Sequence, residues 1–370
     1  MSKLYLLSTS EIKKQAVLSL KLINENNLVC VNINDSTAMP PQPVGHCGGL
    51  KCAMKRIELF KQSLPLYFDS ANDVIVSIEN FIDVEKRQDV CCFVIELNGC
   101  AITGFSLNDY NPTYPEEYVE ELGELQSYDN GNNHGYANTV GSLIHRYRNE
   151  IEANNWSHRY RGATRHDQIC NACRTIDSIS FLKQFIRYVP DHPQKGVMFS
   201  DLLPLFTNVV LKNITINLML SRLNYVGVNF DYIVGLESRG FIFGMALAER
   251  LGIGFVPMRK FGKLGGDCYT VSYVKEYGED KFEMWKSAMM PNKNVLIVDD
   301  VLATGGTLNA AKILCDNFRV KVKSTDAIDF GEEKYPEVYT YSIVLCDIEF
   351  FREKAKVVLG DFHDKTIICF

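Results

Sequence analysis

The chain opens with an apolar block, Leu4-Tyr5-Leu6-Leu7, that reads as a strand, followed by a polar Ser8-Thr9-Ser10 stretch suited to capping a helix. Ile12, Ala16, Leu20 and Ile23 then recur at helical spacing and predict an amphipathic helix with one apolar stripe. Val74–Ile78, Cys91–Leu97 and Ala101–Thr103 are predicted strands. The Asn98-Gly99 pair between the last two favours a two-residue hairpin, because both residues tolerate positive φ. Between Gln126 and Gly135 the chain is rich in Asn and Gly, which predicts a loop. From Asn154 to Arg174 polar residues dominate and no period persists, so this stretch is read as the boundary between two domains. Beyond it the pattern alternates. Helices are predicted over Ser180–Tyr188, Leu211–Leu223, Phe241–Leu251 and Thr307–Phe318, and strands over Tyr232–Gly235, Gly254–Met258 and Val295–Val298. These strands are nearly continuous apolar runs, as expected when helices cover both faces of a parallel sheet. Both blocks therefore read as α/β, and no internal repeat argues for a solenoid.

Composition narrows the class. A length of 370 residues favours two domains, and 46% apolar with 23% charged residues is the balance of a globular protein. The formal net charge of −6 and the lack of a basic face give no reason to expect a nucleic-acid partner. No basic-then-apolar leader follows Met1 and no long uncharged run is present, so the expectation is a cytoplasmic protein without a membrane span. The twelve cysteines are scattered, several inside apolar runs such as Val90-Cys91-Cys92-Phe93-Val94, which suits packed, reduced thiols. His166, Cys170 and Cys173 have the spacing of half a zinc site, but no second ligand pair is apparent, and linker thiols are the better account.

The most informative stretch runs from Val295 through Asp299-Asp300 to Ala303-Thr304-Gly305-Gly306-Thr307. A buried strand brings two carboxylates to its C-terminal end, where ligands bind in open parallel sheets. Gly305 and Gly306 allow close backbone approach, and the amides of the following helical turn, with its dipole, favour an anion. Thr304 and Thr307 add hydroxyl donors.

This combination resembles the phosphoribosyl-diphosphate motif of the type I phosphoribosyltransferases, a fold with a central mostly parallel sheet, a hood and a flexible loop. Three further segments resemble the adenine phosphoribosyltransferases. Pro193 to Asp201 matches the base pocket, which implies stacking by Phe199 and reading of the amino edge near Met198. Gly235 to Phe241 matches the pyrophosphate loop, with Arg239 as a phosphate contact. Arg259 to Leu264 and Ser272 to Gly278 match the flexible hood, with Arg259 and Lys263 as diphosphate contacts and Glu276 as the acid that handles the base proton. The resemblance implies magnesium as cofactor, phosphoribosyl diphosphate and adenine as substrates, AMP as product, a homodimer, and Asp299 and Asp300 on the ribose hydroxyls. The match covers most of Ile179 to Asn317, within an expected domain of residues 176–370. Ser200 stands where the family usually has Arg, and Lys195 where a Pro usually precedes the glycine, so guanine, xanthine or another purine stays open as the base.

Residues 1–165 resemble the inosine/xanthosine triphosphatases in three places: Ser8 to Lys13 after the opening strand, Gln42 to Gly45 followed by a helix with Ala53 and Arg56, and Ile75 to Asp83. That likeness implies hydrolysis of ITP or XTP, with Lys13 on the triphosphate and Glu79 as a metal ligand. The block departs from the family at Ser10, at Asn80 and in His46-Cys47-Gly48-Gly49, where acids and Thr are usual. A dimerisation or regulatory scaffold is the other reading of this block. For the whole chain, a non-catalytic phosphoribosyl-diphosphate sensor is the rival to an enzyme, opposed by the hood motif and by the lack of a basic DNA-binding segment.

Overall fold

In the computed structural model, residues 2–33, 37–114, 116–128, 133–148, 156, 163–192, 195–275, 278–319, 322–323, 333–334 and 338–370 are described. They form two compact units, the first comprising Met1–Phe185 with Leu205–Ile214 and the second Ile186–Pro204 with Thr215–Phe370. No helix among the described residues is long and apolar enough to cross a membrane.

The first unit is built on a five-stranded sheet ordered Leu28–Cys30, Leu4–Leu6, Val74–Asp83, Gln88–Leu97, Cys100–Phe105. The first three strands run parallel and the last three antiparallel. All ten residues of Gln88–Leu97 are buried, which requires cover on both faces of the sheet. Helices Gly45–Gln62 and Arg165–Arg174 both pack on this strand. The approach is close enough to demand glycine. A Cβ on Gly49 would stand 2.2 Å from Phe81, and one on Gly104 would stand 2.0 Å from the Ala172 carbonyl oxygen.

Three expectations need correction here. The stretch read as a polar boundary contains the helix Arg165–Arg174, whose start is fixed by a reciprocal cap between Thr164 and Asp167. Its buried residues include Gln168, Ile169 and Ala172, so it belongs to the core of the first unit. The Asn/Gly-rich stretch begins and ends in strands, Gln126–Tyr128 and Asn133–Tyr136, which pair antiparallel. The predicted helix Ser180–Tyr188 is Ser178–Lys183, and Arg187–Pro190 forms instead a strand paired with Met198–Asp201. Tyr188-Val189-Pro190 explains this, because proline restricts the residue before it to extended backbone. The Asn98-Gly99 hairpin does form, with φ of 51° and 78°.

The second unit has the α/β architecture of the type I phosphoribosyltransferase fold. Its seven-stranded sheet is ordered Cys268–Lys275, Gly278–Trp285, Gly254–Lys260, Tyr232–Leu236, Val295–Val298, Thr340–Val344, Thr366–Ile368. The last five strands are parallel, and an antiparallel pair extends one edge as a long hairpin. Its core joins sheet residues Val234, Leu236, Val295 and Ile297 to Leu308, Ala311 and Leu314 of the helix Gly306–Asp316. The helix Arg239–Leu251 stops where Gly252 turns left-handed at φ 69°.

Candidate active site

The strand Val295–Val298 is buried at every position and ends at Asp299-Asp300. Beyond it, Val301–Leu302 pairs in parallel with Cys346–Asp347, and the Asp300 carbonyl accepts from the Leu345 amide at 2.9 Å, so the backbone under the two acids is fixed. The turn that follows depends on Gly305, whose φ is 82° and which precedes the first residue of the helix Gly306–Asp316. A Cβ there would also stand 3.0 Å from Leu359 Cγ. No side chain caps this helix, so its first amides are available to a ligand.

These groups open onto a cavity of about 550 Å³, lined among others by Phe199, Ser238, Arg239, Lys260, Tyr273, Asp299, Asp300, Ala303 and Thr307. Arg239 starts its helix directly after the Tyr232–Leu236 strand, and Gly240 beside it lets that helix lie against the aspartate strand. A Cβ on Gly240 would stand 2.4 Å from the Val298 carbonyl oxygen. Arg239 Nε lies 2.6 Å from Asp300 Oδ2, close as an ion pair although not aligned as a hydrogen bond. The same guanidinium sits 5.5 Å from the centre of the Phe199 ring. Burial and the adjacent Asp300 push Asp299 well above the ordinary carboxyl range. Burial also raises Asp300, with Arg239 pulling the other way. Tyr273 is pushed up by burial and stacks on Phe282 at 5.0 Å.

Of the residues expected from sequence, Phe199, Arg239, Asp299, Asp300, Ala303 and Thr307 line this cavity, and Thr304 and Gly305 lie between Ala303 and the helix that begins at Gly306. Met198 sits on the same short strand as Phe199 with half its surface exposed. Arg259 is not among the lining residues but pairs with Glu237 at 3.2 Å, and holds that carboxylate below its usual range. Lys263 is exposed on a turn whose amide donates to Glu283 at 2.7 Å, while its neighbour Lys260 lines the cavity. Glu276 lies outside the described residues. Sequence reasoning did not single out Lys260, Tyr273, Ile348 or Phe351; the last two belong to the start and end of a short 3-10 helix, Glu349–Phe351, after the strand Cys346–Asp347, which carries no motif of its own.

The first unit has a smaller cavity of about 170 Å³ that brings Lys13 and Glu79 together with Ser10, Gln42, Asn80, Asp89, Trp156 and Arg165. Lys13 Nζ donates to the Ile78 carbonyl at 2.6 Å, and burial lowers its pKa. Glu79 is held by Arg56 Nε at 2.6 Å. Asp89 accepts both terminal nitrogens of Arg165, at 3.1 and 2.9 Å, and Asn80 Nδ2 at 2.9 Å. Asp89 and Arg165 went unnoticed in the sequence. The signal that marks the helix of Arg165 is the Thr164-x-x-Asp167 capping pattern ahead of Ile169 and Ala172. On that helix Cys170 Sγ lies 3.3 Å from Ser19 Oγ and 3.9 Å from His166 Nδ1. No group of three acidic, His or Cys side chains suited to a metal occurs among the described residues.

Comparison with known proteins adds to this geometry. A phosphoribosyl transferase domain model matches residues 210–361. Adenine phosphoribosyltransferase 1 of Saccharomyces cerevisiae is 46% identical over 143 residues, 38% of this chain and 76% of the yeast protein. The adenine phosphoribosyltransferase of Thermosynechococcus vestitus is 44% identical over 170 residues, 44% of this chain and 98% of that protein. Among solved structures, the yeast enzyme complexed with an imino-altritol bisphosphate and adenine matches at 35% identity and a TM-score of 0.44, covering 52% of this chain and 98% of that one. Through its C-terminal part the chain therefore belongs to the adenine phosphoribosyltransferase family.

Proposed function

We propose that the second unit, in the domain of residues 176–370, joins adenine to phosphoribosyl diphosphate and releases AMP and diphosphate, a step of purine salvage. The observation that carries this reading is Asp299-Asp300 followed by the Gly305 turn at an uncapped helix mouth, on one cavity with Arg239, which lies 2.6 Å from Asp300, and Phe199. The helix amides and Thr307 suit the 5′-phosphate, and Asp299 and Asp300 suit the ribose hydroxyls. Arg239 and Lys260 are cations available to the diphosphate, and the Phe199 ring offers a stacking face to the base. N9 of adenine attacks C1 of the ribose, the bond to diphosphate breaks, and the N9 proton passes to a carboxylate, for which Glu276 is the candidate from sequence. As the ribose gains positive charge, carboxylate charge on the Asp299-Asp300 pair stabilises it.

The donor set fits magnesium only as a substrate-borne ion. With no three-ligand group among the described residues, most of its oxygens would come from the diphosphate and water, and Asp299 or Asp300 would add at most one or two. Bound there, it neutralises the charge of the leaving group. The homodimer and the cytoplasmic setting remain implications of the family resemblance. Hydrolysis of ITP or XTP by residues 1–165 is supported by Lys13 and Glu79 sharing a cavity, but Glu79 is already engaged by Arg56 and Asp89 by Arg165. That cavity does not fit a catalytic metal.

A panel of adenine, guanine, hypoxanthine and xanthine, each with phosphoribosyl diphosphate and magnesium and the purified chain, tests the reading. AMP is the expected main product. Faster turnover of a 6-oxopurine would overturn the assignment of adenine, and no nucleotide from any base would sink the transferase itself.

A further inference from the structure

The first unit holds a further cavity, of about 380 Å³, that shares no lining residue with the one around Lys13 and Glu79. The strands Val74–Asp83 and Gln88–Leu97 run antiparallel, and the two cavities lie towards opposite ends of that pair. Glu79 and Asp89 serve one end. At the other, Ile75 and Glu96 stand directly opposite each other, beside the Asn98-Gly99 hairpin. The volume is within the range of roughly 300–1,000 Å³ in which small-molecule pockets fall.

One wall is apolar and fixed. Phe68 packs on Phe60 and Tyr5, with ring centres 5.8 and 5.4 Å apart, and Leu64 and Ile75 continue the surface. The other wall is acidic. Glu96 is 4% exposed, and the Gly99 amide donates to its Oε1 at 3.0 Å. Its Oε2 has no hydrogen bond, because Lys61 Nζ lies 2.9 Å away, close as an ion pair but not aligned to donate. A buried carboxylate oxygen left in this way is costly. Asp73 lines the same cavity, its two oxygens accepting the amides of Lys3 at 2.7 Å and Asp69 at 3.0 Å. Two carboxylates against one ammonium argue against an anionic ligand.

The present partner of Glu96 is the part that can leave. Lys61 is 44% exposed on the last turn of the helix Gly45–Gln62, where water and the terminal carbonyls of the helix accommodate its charge away from Glu96. Ion pairs to an exposed lysine are weak, so the exchange costs little. We propose that this cavity binds a small organic cation, a primary ammonium on an apolar or aromatic body. The ammonium displaces Lys61 and donates to Glu96 Oε2, while the body lies against Phe68. Nothing in this proposal depends on the transferase reading, whose residues and substrates are different.

Calorimetric titration of the full chain with benzylamine and with phenethylamine tests it, with benzyl alcohol as the uncharged control. Saturable binding of at least one amine is expected, with the alcohol bound about ten-fold more weakly or less. Glu96→Gln keeps the shape and removes the charge, and should weaken amine binding by about ten-fold or more, the scale of one charge-assisted hydrogen bond. Lys61→Met removes the competing ammonium and keeps most of the stem. It should tighten amine binding by about two- to five-fold, the scale of an exposed ion pair. Should Glu96→Gln lose its circular dichroism signal, Lys61→Met decides, since it changes an exposed side chain. No saturable binding of either amine, equal binding by parent and folded Glu96→Gln, or unchanged or weaker binding by Lys61→Met overturns the proposal. An amine held by the acids of the second unit would be indifferent to both changes, and so counts against it as well.

Discussion

Each unit sets two acids of its sheet beside a cavity, just past the strand Val295–Val298 in the second and within Val74–Asp83 and Gln88–Leu97 in the first, yet the acids are held in opposite ways. In the second unit Asp299 and Asp300 face a cavity of about 550 Å³ with a single arginine, Arg239, shared between Asp300 and the Phe199 ring. In the first unit each acid has its own arginine, Glu79 with Arg56 and Asp89 with Arg165. An acid left under-neutralised in a cavity is poised for a ligand that brings or develops positive charge. An acid matched to its own arginine is closer to a structural element. Carboxylates carried by a sheet beside a cavity thus differ in what they can do because of what surrounds them.

The sharpest way to break this comparison is to remove Asp89. It is 2% exposed, and its loss leaves the Arg165 guanidinium without its carboxylate. Asp89→Ala is expected to destabilise the first unit by about 3–5 kcal/mol, the range for breaking one partner of a buried pair. Chemical denaturation followed by Trp156 emission in the Trp285→Phe background measures it. A cost below about 1 kcal/mol would mean that the pair is not structural, and the contrast with the second unit would fail.

Asp299 should respond with the opposite sign. Its raised pKa means that the native state holds the proton more tightly than the unfolded chain does. The stability this confers is fully present below the ordinary carboxyl value of 3.8 and is lost as pH climbs through the raised native value. Asp299→Asn, which cannot ionise, is therefore expected to melt higher than the parent at neutral pH, with the advantage shrinking as pH falls towards that ordinary value. The same change should cut the rate of AMP formation by about two orders of magnitude, as removal of one electrostatic stabiliser commonly does. Unfolding at several pH values and initial rates together decide the matter. A variant both less stable at neutral pH and fully active would remove Asp299 from the site.

The two sites also differ in how much of them the sequence displayed. Asp299 to Thr307 could be read because strand, acids, turn and helix mouth follow one another within a few residues, so local chemistry implies spatial proximity. The strands Tyr232–Leu236 and Val295–Val298 were equally plain, since burial on both faces leaves an uninterrupted apolar run. Lys260, Ile348 and Phe351 reach the same cavity from separate elements, and nothing local marks them. In the first unit Asp89 and Arg165 are 76 residues apart and meet only through packing of a helix on a sheet. That helix escaped notice because its exposed face is strongly polar and its buried positions include Gln168, Cys170 and Asn171, which blur the apolar stripe.

The smallest expected effect tests that missed helix. Thr164 Oγ1 accepts from the Asp167 amide at 3.1 Å, while Asp167 Oδ2 accepts from the Thr164 amide at 3.0 Å. Asp167 is held below the usual carboxyl range by the Thr164 hydroxyl and amide, which fits a carboxylate working at a helix start. Thr164→Ala removes the hydroxyl and leaves the backbone free, at a cost of about 1 kcal/mol. The helix carries Arg165, and Gly104 packs on its Ala172 carbonyl, so this cost should appear in unfolding of the whole first unit and not as local fraying. Hydrogen exchange distinguishes the two. Faster exchange confined to residues 165–168 would make the helix an appendage, whereas a shared increase across Gln88–Leu97 and Cys100–Phe105 makes the cap part of what keeps Asp89 and Arg165 together.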